Sequence, residues 1–244
     1  MRDLKIFILI LTGVSLAAVT HAPTAASDSA PEPQKAISST ANESPNAPTE
    51  ALNIFDDRLL LDGYAQRYAN ESKDILLERI KDDTLDPFKA AAAVRVFKKQ
   101  FTEEMVAREK KAAERILLRR LVRADSPFLQ VEIMHALCQL DRFRYFETMV
   151  PALIVKLDHY NSAVDDLAYE DLNEIIKNGN NRAREARIVF NTLRKILFLT
   201  RKRLANVTDP SPRLKQKLEI LRWAIKVLGN QEIKRLPKEA INLL

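Results

Sequence analysis

Residues 86–100 read DPFKAAAAVRVFKKQ, and residues 126–140 read SPFLQVEIMHALCQL. Each stretch opens on a short hydrogen-bond acceptor followed by proline and phenylalanine, with the second copy forty residues after the first. A serine or aspartate can accept from the free N–H groups of a first helical turn. A proline just inside that turn has no N–H to lose. Behind the first start, Phe88, Ala91, Val94 and Phe97 recur every third residue, and Ala93 and Phe97 correspond to Ile133 and Leu137. This is the stripe of an amphipathic helix and not the alternation of a strand. The two stretches therefore predict helices with the same role in successive units.

Helical spacing continues on both sides, through Ile75–Ile80, Glu103–Arg123, Thr148–Leu157, Ala163–Ile176, Arg182–Ala205, Pro212–Leu228 and Gln231–Leu243. The breaks at Asp86-Pro87, Asp125-Ser126-Pro127, Asn161-Ser162, Asn178-Gly179-Asn180 and Asp209-Pro210-Ser211-Pro212 are caps, helix-opening prolines or Gly/Asn stops. A further unit follows at an offset of thirty-five, where Leu129, Ile133, Leu137 and Leu140 correspond to Val164, Ala168, Leu172 and Ile175. Two helices per period of roughly 40 residues is the signature of a solenoid. Composition agrees. The chain has four glycines, where average usage would supply roughly 17, so there is little material for tight strand turns or phosphate-cradling loops.

The segment Val150-Pro151-Ala152-Leu153-Ile154-Val155-Lys156-Leu157-Asp158, followed by Val164, Ala168, Leu172 and Ile175, resembles a HEAT repeat, one of the armadillo-type helical repeats. That family has a proline in its first helix, an aspartate in the turn and a Val-Arg pair opening its second helix. Here Asp165 stands where the arginine usually is, which removes a common inter-repeat ionic contact. The resemblance covers residues 73–178 well and 180–244 in outline. It implies an all-α right-handed superhelix of about four helix pairs over residues 52–244, with second helices lining a concave groove. The polar positions then expected to face a protein partner are Glu132, His135 and Gln139, then Asp165, Tyr169 and Asn173, then Lys215, Lys217 and Arg222.

The beginning of the chain predicts export. Arg2 and Lys5 precede an apolar run from Ile6 to Val19, too short for a comfortable transmembrane helix, and small residues follow. Residues 1–22 read as a signal peptide, with an uncleaved N-terminal anchor as the alternative. Residues 23–51, rich in Pro, Ala, Ser, Thr and Glu, hold too little apolar surface to offset ordering entropy and are expected to be a disordered linker. The implied location is periplasmic or secreted.

Nothing in the sequence assembles an active site. The single cysteine, Cys138, excludes an internal disulfide and a Cys-based zinc site. His135 and Cys138 lie one turn apart and could meet Asp141 at a metal, but Cys138 sits in the most apolar stretch and reads as a buried, inert thiol. The carboxylates Asp165, Asp166, Glu170, Asp171 and Glu174 include Asp166 and Glu170 on one helix face, the arrangement of a general acid and base. Negative charge in a first helical turn explains the leading two without catalysis. No nucleophile elbow, Walker loop, zincin or dinucleotide fingerprint occurs. The expectation is a protein that is not an enzyme, with no cofactor and no metal.

Charge is distributed unevenly. Residues 141–178 carry four basic and eight acidic side chains, whereas residues 180–244 carry sixteen basic and five acidic. Arg182, Arg184, Arg187, Arg194, Lys195, Arg201, Lys202 and Arg203 all lie on one predicted helix. Such a block attracts anionic lipid, an acidic envelope polymer, an acidic protein or nucleic acid. Nucleic acid is the weakest of the four, because aromatics for base stacking are few there and exported proteins rarely meet it. The leading expectation is a scaffold or adaptor that binds a protein partner through the groove. The alternative is a peripheral envelope protein that docks on anionic lipid or polymer through the basic helices of residues 182–226, with an enzyme of unrecognised type third.

Overall fold

A computed structural model describes residues 57–179 and 182–244. The expected signal peptide and linker, residues 1–22 and 23–51, lie outside the described residues. Among the described residues ten α-helices follow one another: α1 (Asp57–Tyr68), α2 (Lys73–Lys81), α3 (Pro87–Gln100), α4 (Ala107–Val122), α5 (Pro127–Leu140), α6 (Arg142–Lys156), α7 (Ser162–Lys177), α8 (Arg182–Leu204), α9 (Pro212–Leu228) and α10 (Lys238–Ile241). A 3₁₀ turn at Asn230–Arg235 precedes the last, and no strand occurs among the described residues. None of these helices is long and apolar enough to cross a membrane.

The helices pack in a repeating pattern. One row runs through α1, α3, α5 and α7, each packed on the next, while in the other α2 packs on α4 and α6 on α8. The rows are joined by the successive pairs α2 with α3, α4 with α5, α6 with α7 and α8 with α9. The core lies between the rows, and Phe97, Leu117, Ile133, Leu153, Leu172 and Phe190 in it are fully buried or nearly so. Each such side chain contributes about 1.5–3 kcal/mol of hydrophobic stabilisation. A lone pair would expose its apolar stripe, and stacking hides it.

The duplicated Pro-Phe starts meet in space, with the Phe88 and Phe128 rings 5.3 Å apart between centroids. Their caps are not equivalent. Asp86 accepts hydrogen bonds from the N–H groups of Phe88 and Lys89, at 3.0 and 3.2 Å, while the Ser126 side chain makes no capping bond.

Several boundaries differ from those the spacing predicts, each for a local reason. The helix expected from Glu103 begins at Ala107, after a turn over residues 101–104, where the Glu109 carboxylate accepts from Val106 N at 3.3 Å. The helix expected from Thr148 begins at Arg142, capped by the Asp141 carboxylate, and carries Pro151 inside it. That proline leaves the Glu147 carbonyl without its helical donor and does not end the helix. The segment expected as one helix over Gln231–Leu243 is a 3₁₀ turn and a short helix parted at Pro237. Gly229, at φ 103°, reverses the chain before it in a conformation that side chains rarely adopt.

Candidate functional site

Arg95 and Lys98 are the only charged residues among the buried positions of α3, and both turn toward α5. Arg95 Nε donates to Glu132 Oε1 at 2.9 Å, and its Nη1 reaches Asp62 on α1. Lys98 Nζ lies 2.7 Å from each of Glu132 Oε2, Asp171 Oδ1 and His135 Nδ1. Past them, Thr102 Oγ1, which donates to Lys98 O at 2.7 Å, lies 3.2 Å from Gln139 Oε1, and Gln139 Nε2 donates to Glu174 Oε1 at 3.2 Å. The contacts Arg95–Glu132, Lys98–His135 and Thr102–Gln139 each join residues 37 apart. The repeat is thus written in polar contacts as well as in apolar ones, and a ladder of charge runs from α1 to α7.

Histidine orientation follows from its neighbours. Gln139 Nε2 stands 3.2 Å from His135 Nε2, and Asp171 Oδ1 stands 2.7 Å from His135 Nδ1. The Lys98 ammonium stands at the same 2.7 Å from Nδ1, so that nitrogen meets a donor and an acceptor together. Burial disfavours the Lys98 ammonium, but the Glu132 and Asp171 carboxylates overcome this and raise its pKa above the ordinary lysine value. Burial also works against the Asp171 carboxylate. The Lys98 charge, with His135, outweighs it and holds that pKa at about 2.

This ladder corrects part of the sequence reading. Glu132 and His135, expected to face a ligand across a groove, are fully buried and face α3 and α7. Gln139 is half-buried and bridges Thr102 to Glu174. The helix-packing face here is polar, so a period that correctly finds the helices does not say which polar positions reach water. Lys98 and Arg95 were not singled out by sequence, since the same helix also carries Lys89 and Lys99 and spacing alone does not say which cations are buried.

The acidic group on α7 is likewise committed. Asp165 pairs with Arg213, Asp166 accepts from Gln216 Nε2 at 3.0 Å, Glu170 pairs with Arg58 of α1, Asp171 with Lys98, and Glu174 with Gln139. Burial raises the Asp165 pKa against the pull of Arg213. Five carboxylates thus take five different partners, and Asp166 and Glu170 do not converge on a common point. Tyr169 donates to Glu219 Oε2 at 2.5 Å, and Asn173 is half-buried one turn along the same helix.

His135, Asp171 and Glu174 bring three ligand atoms within 4.8 Å of one another, the one such group found among the described residues. The Lys98 ammonium already stands 2.7 Å from His135 Nδ1 and from Asp171 Oδ1, and a divalent ion there would meet its repulsion. Cys138 is buried elsewhere on α5, and desolvation pushes its thiol up to about 12. Asp141, the third member of the metal set weighed from sequence, caps α6 through Arg144 N.

The predicted anion-binding residues separate into two classes along α8. Arg182 Nε donates weakly to Gly179 O, Arg184 pairs with Glu147 at 3.0 Å and covers the Phe143 ring, and Arg187 pairs with Glu232 at 2.7 Å. On α9, Lys215 pairs with Asp209, Lys217 with Asp158, and Arg222 donates to the Leu244 carbonyl. By contrast Arg194, Lys195, Arg201, Lys202 and Arg203 take no ion-pair partner among the described residues. Beside them Phe198 is 42% exposed and Leu199 78% exposed. At about 100° per residue, Asn191, Arg194, Lys195, Phe198, Leu199, Arg201 and Lys202 fall within an arc of roughly 160°. That arc turns away from the buried stripe of Ala186, Val189, Phe190, Leu193, Leu197 and Leu204. Among the described residues the same seven line a shallow recess of about 680 Å³. Leu199 is the functional candidate that sequence reasoning missed. Its position off the buried stripe was the signal.

Compared with protein-family models, with curated proteins and with solved structures, the chain matches none.

Proposed function

We propose that this chain is an exported, non-catalytic helical-repeat module of HEAT-like type that docks on an anionic bilayer surface through the C-terminal half of α8. One observation carries the reading: five cations without internal partners flank two exposed apolar side chains within ten residues, Arg194 to Arg203. Cations alone suit any polyanion. Phe198 and Leu199 distinguish among them, because a hydrated polymer offers apolar side chains no gain, whereas the acyl boundary of a bilayer does. Each cation held near an anionic surface contributes about 1 kcal/mol.

Scaffolding of a protein partner is the second reading. The repeated packing of helix pairs favours it, since such stacks present broad surfaces. Of the nine positions assigned to that role by sequence, Gln139, Tyr169, Asn173, Lys215 and Arg222 keep exposed or half-exposed side chains.

Co-sedimentation with vesicles separates the readings, using the chain from Pro23 onward. Binding to vesicles holding anionic lipid, absence of binding to neutral ones, and loss as salt rises is the expected result. Neutralising Arg194, Lys195 and Lys202 to glutamine weakens that partition roughly a hundredfold. Equal binding by the triple variant overturns the lipid reading and leaves the protein-partner one.

A further inference from the structure

A second cationic feature lies far from α8 in the chain, where the loop after α2 meets α4. Lys81, Asp83, Arg115, Ile116, Arg119 and Arg120 line a recess of about 170 Å³. The anions already there are used. Asp83 accepts from Arg120 Nη1 at 3.2 Å and from Arg123, with Arg119 Nη2 at 3.8 Å, while the Asp82 carboxylate is taken by Thr84. Lys81 pairs at 3.1 Å with Glu78 on the exposed side of its helix. Arg115 takes no ion-pair partner among the described residues, and Asp83 pairs with three guanidinium groups, with the Asp82 charge also acting on Arg120. A further donor is unmet, since Arg120 is 5% exposed and its Nε is buried without a hydrogen-bond partner. A buried donor without a partner calls for an acceptor, and the surplus of guanidinium over carboxylate charge around the recess favours an anionic one. Guanidinium forks match the paired oxygens of tetrahedral and planar oxyanions.

We propose that this recess binds a small oxyanion of the phosphate type, held by Arg115, Arg119 and Arg120. The site is independent of α8, so either proposal can fail without the other. Calorimetric titration of the full chain with inorganic phosphate, at ionic strength held constant with chloride, tests it. One saturable site is expected, weakened at least tenfold by Arg115→Gln combined with Arg119→Gln and unchanged by the triple glutamine variant of α8. Arg115 and Arg119 are exposed, so the double variant keeps its fold, checked by an unchanged thermal midpoint without phosphate. Glycerol phosphate and vesicles containing phosphatidic acid form two further arms. Whichever of these loses binding in the same double variant identifies the source of the oxyanion as free or headgroup-borne. No saturable phosphate binding, or equal affinity in the double variant, overturns the proposal.

Discussion

Lys98 Nζ lies 2.7 Å from Asp171 Oδ1, joining α3 to α7 across a separation of 73 residues. Glu132 and His135 of the intervening α5 close around the same ammonium. One buried cation thereby ties three successive helices of a row together.

Removing that cation leaves buried Asp171 without its lysine and Glu132 with Arg95 alone. Lys98→Met is expected to lower unfolding free energy by about 3–5 kcal/mol, whereas Lys99→Met, at the exposed neighbour, stays within about 0.5 kcal/mol of the parent. Urea denaturation of the two variants measures both. Equal midpoints would mean that the ladder does not support the stack.

Acid should weaken the fold through the same group. The Asp171 pKa of about 2 lies below its ordinary 3.8, so its contribution is present above about pH 4 and disappears as pH falls toward 2. Urea midpoints of the parent are expected to fall over that window, and Asp171→Asn to fall less steeply from a lower start. Asp165, whose pKa is raised, has the opposite sign and does not produce this loss.

The Cys138 thiol, 1% exposed and held up at about 12, is expected to resist disulfide reagents in the native protein at pH 8 and to react fully in urea. Timed thiol labelling reads this directly. Rapid stoichiometric labelling without denaturant would place the sulfur outside the core.

The two Pro-Phe helix starts are expected to respond unequally. Asp86→Ala removes two capping bonds and costs about 1 kcal/mol, while Ser126→Ala removes none and costs a few tenths at most. Thermal unfolding of the pair of variants checks it.

The helices were legible because their apolar stripes and caps are local: Asp86-Pro87 and Ser126-Pro127 open α3 and α5 where the spacing predicts. The Asp141 cap starts α6 six residues before Thr148, and the Glu109 contact to Val106 N sets the start of α4 later than Glu103. The candidate site was only partly legible. Cationic density marked α8, but which cations remain unpaired depends on Glu147 and Glu232, distant in sequence from the arginines they meet. The burial of Glu132 and His135 was hidden for the same reason, because their partners Arg95, Lys98 and Asp171 lie on two other helices.

The most direct measurement places a polarity-sensitive fluorophore at position 199, through Leu199→Cys in a Cys138→Ala background, and adds vesicles. Anionic vesicles should shift its emission to the blue, as the apolar edge of α8 enters the acyl boundary, and neutral vesicles should leave it unchanged. Emission that stays at its aqueous wavelength while the protein sediments with anionic vesicles would contradict docking through this helix.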